Sequence, residues 1–245
     1  METTKLFQIV RRMPKGALLH AHIGATVDLS WVFMQAIWTP GMGIACSVAL
    51  DSREAREKEM VRFAFVSGEL GVGGSIWEKG YEPGRMVSLR EAAESFPKGG
   101  KEGFVGWMKD RCSITQEESL QPHLGVDDVW RKLSAGFVML HPILYYEPLL
   151  RGFIRKLLIT LLEDGVRWAE LRAVFASPFT LEGQGEPVKR PLEVARVLSE
   201  GIREFMGSEE GKGFWGVRMI WTAMRGQNTE IIIEGILVFS MFEFG

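Results

Sequence analysis

The 245-residue chain predicts an α/β fold built of parallel βα units, and three observations carry that reading. Strand-like and helix-like apolar patterns alternate along it, most clearly from Asp127 onward. The helical stretches are bounded by recognisable start and stop residues. No internal repeat or low-complexity tract competes. Composition agrees, since 46% hydrophobic and 24% charged residues with a formal net charge of −2 describe a globular chain with material for a sizeable core. That near-neutral balance argues against a general attraction to nucleic acid or anionic membrane, and no Lys/Arg block stands out.

Residues Gly16 to His22 of "MPKGALLHAH" read as a short buried strand entered from a Pro-Lys-Gly turn. "VDLSWVFMQAI" is a helix that stops at Thr39-Pro40-Gly41. From 40 to 128 the chain reads as a long, irregular helical insertion. Within it, "DSREAREKEMVRFAF" suggests a helix with a charged, solvated face. "SGELGVGGSIWEKGYEPG" is a Gly-rich loop, and without a following Lys-Ser/Thr it does not match a phosphate cradle. Ser88 with Glu91, and Thr115 with Glu118, have the spacing of capping boxes.

In "EPLLRGFIRKLLITLLEDG" apolar residues recur as pairs, from Leu149 and Leu150 to Leu161 and Leu162, making one stripe on a helix. Pro148 suits its first turn and Gly165 its left-handed end. "VRWAELRAVF" is then a strand, "PLEVARVLSEGIREFM" a helix, and "GVRMIWTAM" a strand. "NTEIIIEGILVFSMF" is a last helix capped by Asn228 or Thr229.

The chemistry concentrates at His20 and His22. In a strand, residues i and i+2 share a face roughly 6.6–7 Å apart, so the two imidazoles project together with Ala21 facing away. Such a pair can converge on zinc at about 2.0–2.1 Å. The apolar "ALL" run before it would draw neutral imidazoles into a partly buried place, where each ring nitrogen needs a partner. A bare His-x-His is equally compatible with two hydrogen-bonded or solvated histidines. Glu170 and Arg172 share a strand face by the same period and are expected to form an ion pair, buried or supporting the site, rather than an acid/base couple.

"MPKGALLHAH", followed by "VWRKLSAGF", "LLEDGVRWAELRAVF" and "GVRMIWTAMRG" in that order, resembles the adenosine deaminase family. The likeness is strongest to its growth-factor-related branch and the fungal relatives. The resemblance implies a partial TIM-type (β/α)8 barrel. Its first βα unit would cover 1–39, the insertion 40–128, and the second and third units 129–245, all within one incomplete domain. It implies a zinc aminohydrolase that turns adenosine into inosine and ammonia, by metal activation of water assisted by acid/base groups. His20 and His22 would be its first two Zn2+ ligands. Trp130 resembles an aromatic residue near the nucleoside pocket, with plain core packing as the alternative, and Arg225 resembles a recurrent arginine of unassigned role.

The sequence departs from the family pattern in three places. Ile23 and Gly24 stand where an aspartate usually follows the second histidine, and Asp28 is too far along. The third strand ends "TAMRG", with Arg225 its only polar chemistry. The later strands that carry the family's further histidines, glutamate and aspartates have no counterpart, so the chain looks like an N-terminal part, inactive alone. His123, His141, Cys46 and Cys112 lack metal-ligand spacing to the pair. The catalytic residues therefore stay unassigned.

The alternative is a non-catalytic binding or dimerising remnant, since open strand edges template another chain. Adenosine is the expected small-molecule partner, with a homodimer open and neither nucleic acid nor membrane expected. Two cysteines allow at most one disulfide. The N-terminus lacks a secretory h-region, so a cytoplasmic location is the default. Secretion is the alternative if the natural N-terminus lies upstream.

Overall fold

The computed structural model describes residues 3–13, 15–70, 74–121, 125–175, 177–188, 191–223, 226 and 228–240. Along the chain these form α1 (Lys5–Arg12), β1 (Leu18–His22), α2 (Leu29–Trp38), β2 (Met42–Cys46), α3 (Arg53–Lys58), β3 (Val61–Phe65), β4 (Val87–Ser88), α4 (Leu89–Glu94) and α5 (Gly100–Cys112). They continue with α6 (Gln116–Ser119), α7 (Val126–Leu144), α8 (Glu147–Glu163), β5 (Trp168–Ala173), α9 (Pro191–Gly207), β6 (Gly216–Trp221) and α10 (Thr229–Ser240). The result is a mixed α/β fold in two compact units, with no closed barrel among the described residues. No described helix is long and apolar enough to cross a membrane.

The first unit takes the described residues of 1–27, 150–179 and 189–245. It holds a three-stranded sheet in the order β1-β5-β6, both pairings parallel. This is the arrangement that the alternating patterns of the three strands predict. Ala21, Ala169, Leu171, Ala173 and Met219 form its buried face. On α8 the paired apolar residues are buried through Leu158 and half-buried at Leu161 and Leu162.

Gly165, at φ +84°, ends α8 as its sequence suggests. Its N–H reaches Leu162 O at 3.0 Å, and Val166 N–H reaches Leu161 O at 2.8 Å, which satisfies carbonyls that the helix end leaves free. α8 and α9 approach closely at Gly201, where an added Cβ would lie 2.8 Å from Ile154 Cγ2. α9 lies against β6, and α10 lies against α9.

The second unit takes residues 28–149 and 180–188. Here the expected irregular helical insertion is corrected: it contains an antiparallel sheet in the order β3-β2-β4. β2 is its centre, and all five of its residues are buried. The expected single helix over residues 51–65 is a six-residue helix followed by a strand. The charged run "REAREK" ends at Lys58. Val61 and Phe63 are then buried while Arg62 faces solvent, the alternation of a half-buried strand.

Two aromatics anchor the described part of the Gly-rich loop. Tyr81 Oη accepts Cys46 N–H at 3.0 Å and lies 2.6 Å from Arg85 O. Trp77 Nε1 donates to Ala92 O at 2.8 Å, and its ring meets Phe96 edge-on at 5.1 Å. Thr115 and Glu118 make a full capping box. Ser88 supplies only its own half, accepting from Glu91 N.

Cys46 and Cys112 are both free and buried, which removes the disulfide that two cysteines allow. Burial pushes the Cys112 thiol up to about 12, because an apolar surround disfavours thiolate.

Candidate functional site

The candidate site lies on the face of the parallel sheet opposite its alanines and leucine. β1 points His20 and His22 the same way, with ring centroids 5.4 Å apart and planes tilted by 58°. Ala21, between them, is buried on the other side. Parallel pairing sets His22 beside Arg172, and Glu170 beside Arg218, so period two places all five side chains on one face.

Both histidines are largely solvent-exposed, which corrects the expectation of a partly buried place for the pair, although His22 keeps slight burial. Only Ala21 of β1 is buried. The pair stands at the C-terminal end of β1, where the chain turns into the short 3₁₀ segment Ile23–Ala25, held by Thr26 Oγ1 donating to Ile23 O at 2.8 Å.

The electrostatics of this face favour neutral imidazole at His22. Its proton affinity is lowered by partial burial first, then by the neighbouring charges of His20 and Arg172. A neutral ring is the form that ligates a metal. An imidazole bound at about 2.0–2.1 Å sets its centroid roughly 3 Å from the ion, so two rings on tetrahedral corners lie about 5 Å apart. The observed 5.4 Å fits two corners of such a set. No group of three or more His, Cys, Asp or Glu side chains able to hold a metal occurs among the described residues.

Glu170 and Arg172 do not form the expected pair. Arg218 Nη1 lies 3.5 Å from Glu170 Oε1, and Arg172 Nη1 donates to Leu19 O at 3.1 Å. Residues two apart share a face, but the in-register neighbour on the next strand is closer to a partner's position than the next residue along the same strand. Arg218 went unrecognised in the sequence reading. The signal was there in "GVRMIW", where period two sets Arg218 against Glu170 once the strands are paired in register.

The other candidates fall as follows. Trp130 is on α7 of the second unit and 65% exposed, so it is not a core residue there. His141 lies near the C-terminal end of α7. Its ring stacks on Tyr145 at 4.0 Å, and its Nε2 is buried without a hydrogen-bond partner. Asp28 caps α2, accepting from Ser30 N at 2.8 Å and Trp31 N at 3.3 Å, and pairs with Lys109 at 3.2 Å. His123 and Arg225 lie outside the described residues.

No family model matches the chain. Curated proteins do. Adenosine deaminase 2 of Sus scrofa is 25% identical over 236 residues, covering 96% of this chain and 42% of that protein. Adenosine deaminase 2 of Homo sapiens is 24% identical over 242 residues, with coverages of 96% and 42%. The adenosine deaminase of Phlebotomus duboscqi is 22% identical over 235 residues, covering 93% and 39%. Similarity to adenosine deaminases thus runs over nearly the whole of this chain, while the chain spans only 39–42% of the length of these three relatives.

Proposed function

We propose that this chain carries part of an adenosine deaminase-like zinc site, with His20 and His22 as two of the metal ligands. In this reading β1, β5 and β6 are the first three strands of a (β/α)8 barrel, whose strand ends form the site. The single observation that carries it is the convergence of the two rings on one face at the end of β1, 5.4 Å apart. The relatives' names supply the rest: adenosine as substrate and deamination as reaction. Zinc bound there would lower the pKa of water toward neutrality.

The chain's own residues do the following. His20 and His22 offer their ring nitrogens. Arg172 ties β5 to the Leu19 carbonyl just before His20 and so fixes the strand that orients both rings. Glu170 pairs with Arg218 and offsets part of the positive charge on this face. Trp130 is proposed as a substrate-binding residue on the resemblance alone.

Two ligands of a usual four leave most of the metal affinity unrealised, and no group of three or more metal-ligating side chains occurs among the described residues. The 245-residue chain is therefore expected to bind zinc weakly and to turn over no adenosine on its own. The test is zinc binding together with an adenosine-to-inosine assay on the purified chain, with His20→Ala and His22→Ala beside it. Zinc uptake lost in both variants supports the assignment. Uptake unchanged in them overturns it, and inosine formation by the chain alone overturns the incompleteness.

One observation favours the second reading, a non-catalytic remnant that self-associates. Among the described residues β1 and β6 are the edges of the parallel sheet, and unpaired strand edges invite pairing.

A further inference from the structure

The helix before the first strand has an amphipathic pattern that the candidate site does not use. α1 is "KLFQIVRR", opened by Thr4, whose side chain accepts from Phe7 N, and none of its residues is buried. Leu6, Ile9 and Val10, continued by Met13 at its end, are 70%, 61%, 44% and 55% exposed. At 100° per residue these four fall within about 100° of the helix circumference. Arg11 lies nearly opposite the centre of that arc, while Lys5 and Arg12 flank it on the Ile9 side, about 40° and 60° from Ile9. Lys15 adds a fourth cation, its Nζ donating to Val10 O at 3.1 Å.

Charge decides what this face fits. Residues 1–15 contain four cations and one acid, Glu2, so the formal −2 of the whole chain hides a local +3. Among the described residues no ion pair engages Lys5, Arg11, Arg12 or Lys15. An apolar strip with cations along one margin and on the opposing arc is the layout of a helix lying in a lipid–water interface. There the apolar side chains enter the acyl boundary, and the long basic side chains reach back to anionic headgroups. A second copy of α1 would set four cations against four. A nucleic acid would leave Leu6, Ile9, Val10 and Met13 in water.

We infer that α1 is an interfacial helix that seats this protein on an anionic lipid surface. Leu6, Ile9, Val10 and Met13 supply the insertion, and Lys5, Arg11, Arg12 and Lys15 the selectivity for acidic headgroups. This does not depend on the zinc assignment, because no residue of α1 belongs to that face.

The experiment is co-sedimentation of the 245-residue chain with vesicles of phosphatidylcholine alone, and of phosphatidylcholine with phosphatidylserine. The chain is expected to pellet with the serine-containing vesicles and to stay in solution with the others. Each cation near such a surface contributes about a fivefold change in partitioning, so Arg11→Gln/Arg12→Gln is expected to weaken it about 25-fold. Leu6→Glu/Ile9→Glu is expected to abolish it. Neither pair of residues is buried, so circular dichroism of both variants should match the parent.

Equal partitioning to both vesicle types overturns the electrostatic part. No partitioning to either overturns the whole inference. A concentration-dependent dimer that Leu6→Glu/Ile9→Glu dissociates, without vesicle binding, overturns it in favour of a second copy.

Discussion

Replacing Gly201 by alanine sets two effects of similar size against each other, and the geometry decides the sign. In a helix interior, glycine to alanine is worth about 1 kcal/mol of stabilisation through backbone entropy and propensity. At Gly201 the new Cβ would meet Ile154 Cγ2 at 2.8 Å, well inside carbon–carbon contact at about 3.5–4.0 Å. Ile154 cannot swing aside. It is fully buried on α8, and a β-branched side chain in a helix keeps essentially one χ1 rotamer. α8 and α9 must then separate by most of an ångström, also loosening the Arg151–Glu200 ion pair that joins them at 2.8 Å.

Overpacking of this kind costs about 1–3 kcal/mol. The net expectation is destabilisation of about 1 kcal/mol, read as a Tm lowered by roughly 2–4 °C in a chain of this size. Gly106→Ala is the internal control. It also lies inside a helix, α5, but has nothing within 4 Å of the added Cβ, so it should raise Tm. In an Ile154→Leu background, which removes the Cγ2 branch, the penalty of Gly201→Ala should shrink or vanish. A Gly201→Ala chain as stable as Gly106→Ala would refute the close approach of α8 and α9.

Arg111 donates to the carbonyls of Arg56, Glu57 and Glu59 at the end of α3. Arg111→Met should therefore cost roughly 2–3 kcal/mol in urea unfolding, since charge-assisted bonds to orphan carbonyls are lost. His141 has its proton affinity lowered by burial alone, so the unfolded chain takes up a proton more readily. Stability is whole above the ordinary value of 6.5 and falls as pH drops below it. The urea midpoint should decline between pH 7.5 and 5.5 less in His141→Phe, which keeps the stack on Tyr145, than in the parent. With both cysteines buried and Cys112 held near 12, iodoacetamide should label neither in the native chain and both in denaturant.

The parallel sheet was legible because its strands are punctuated. Pro148 and Gly165 bracket α8, Asn228 caps α10 by accepting from Glu230 N at 2.9 Å, and the apolar periods between them leave little choice. The antiparallel sheet was not legible. β2 is five buried residues, "MGIAC", with no alternation to mark it, because a central strand covered on both faces has no polar side. β3 directly follows a run rich in Arg, Glu and Lys, and the helix signal of "REAREK" masked the shorter period of "VRFAF".

The site was legible as far as one strand reaches. Period two gave the common direction of His20 and His22. Their exposure was not visible in the sequence, since burial depends on what the other elements cover. The partners of Glu170 and Arg172 depend on strand register, which the sequence of a single strand does not state.

Nitrogen-15 NMR of the histidine side chains during a zinc titration tests the central assignment most directly. The ring signals of His20 and His22 should move together and reach completion at the same zinc level, while those of His141 stay in place. Signals that move at separate zinc levels, or a His20→Ala chain in which His22 titrates unchanged, would contradict a shared site on this strand.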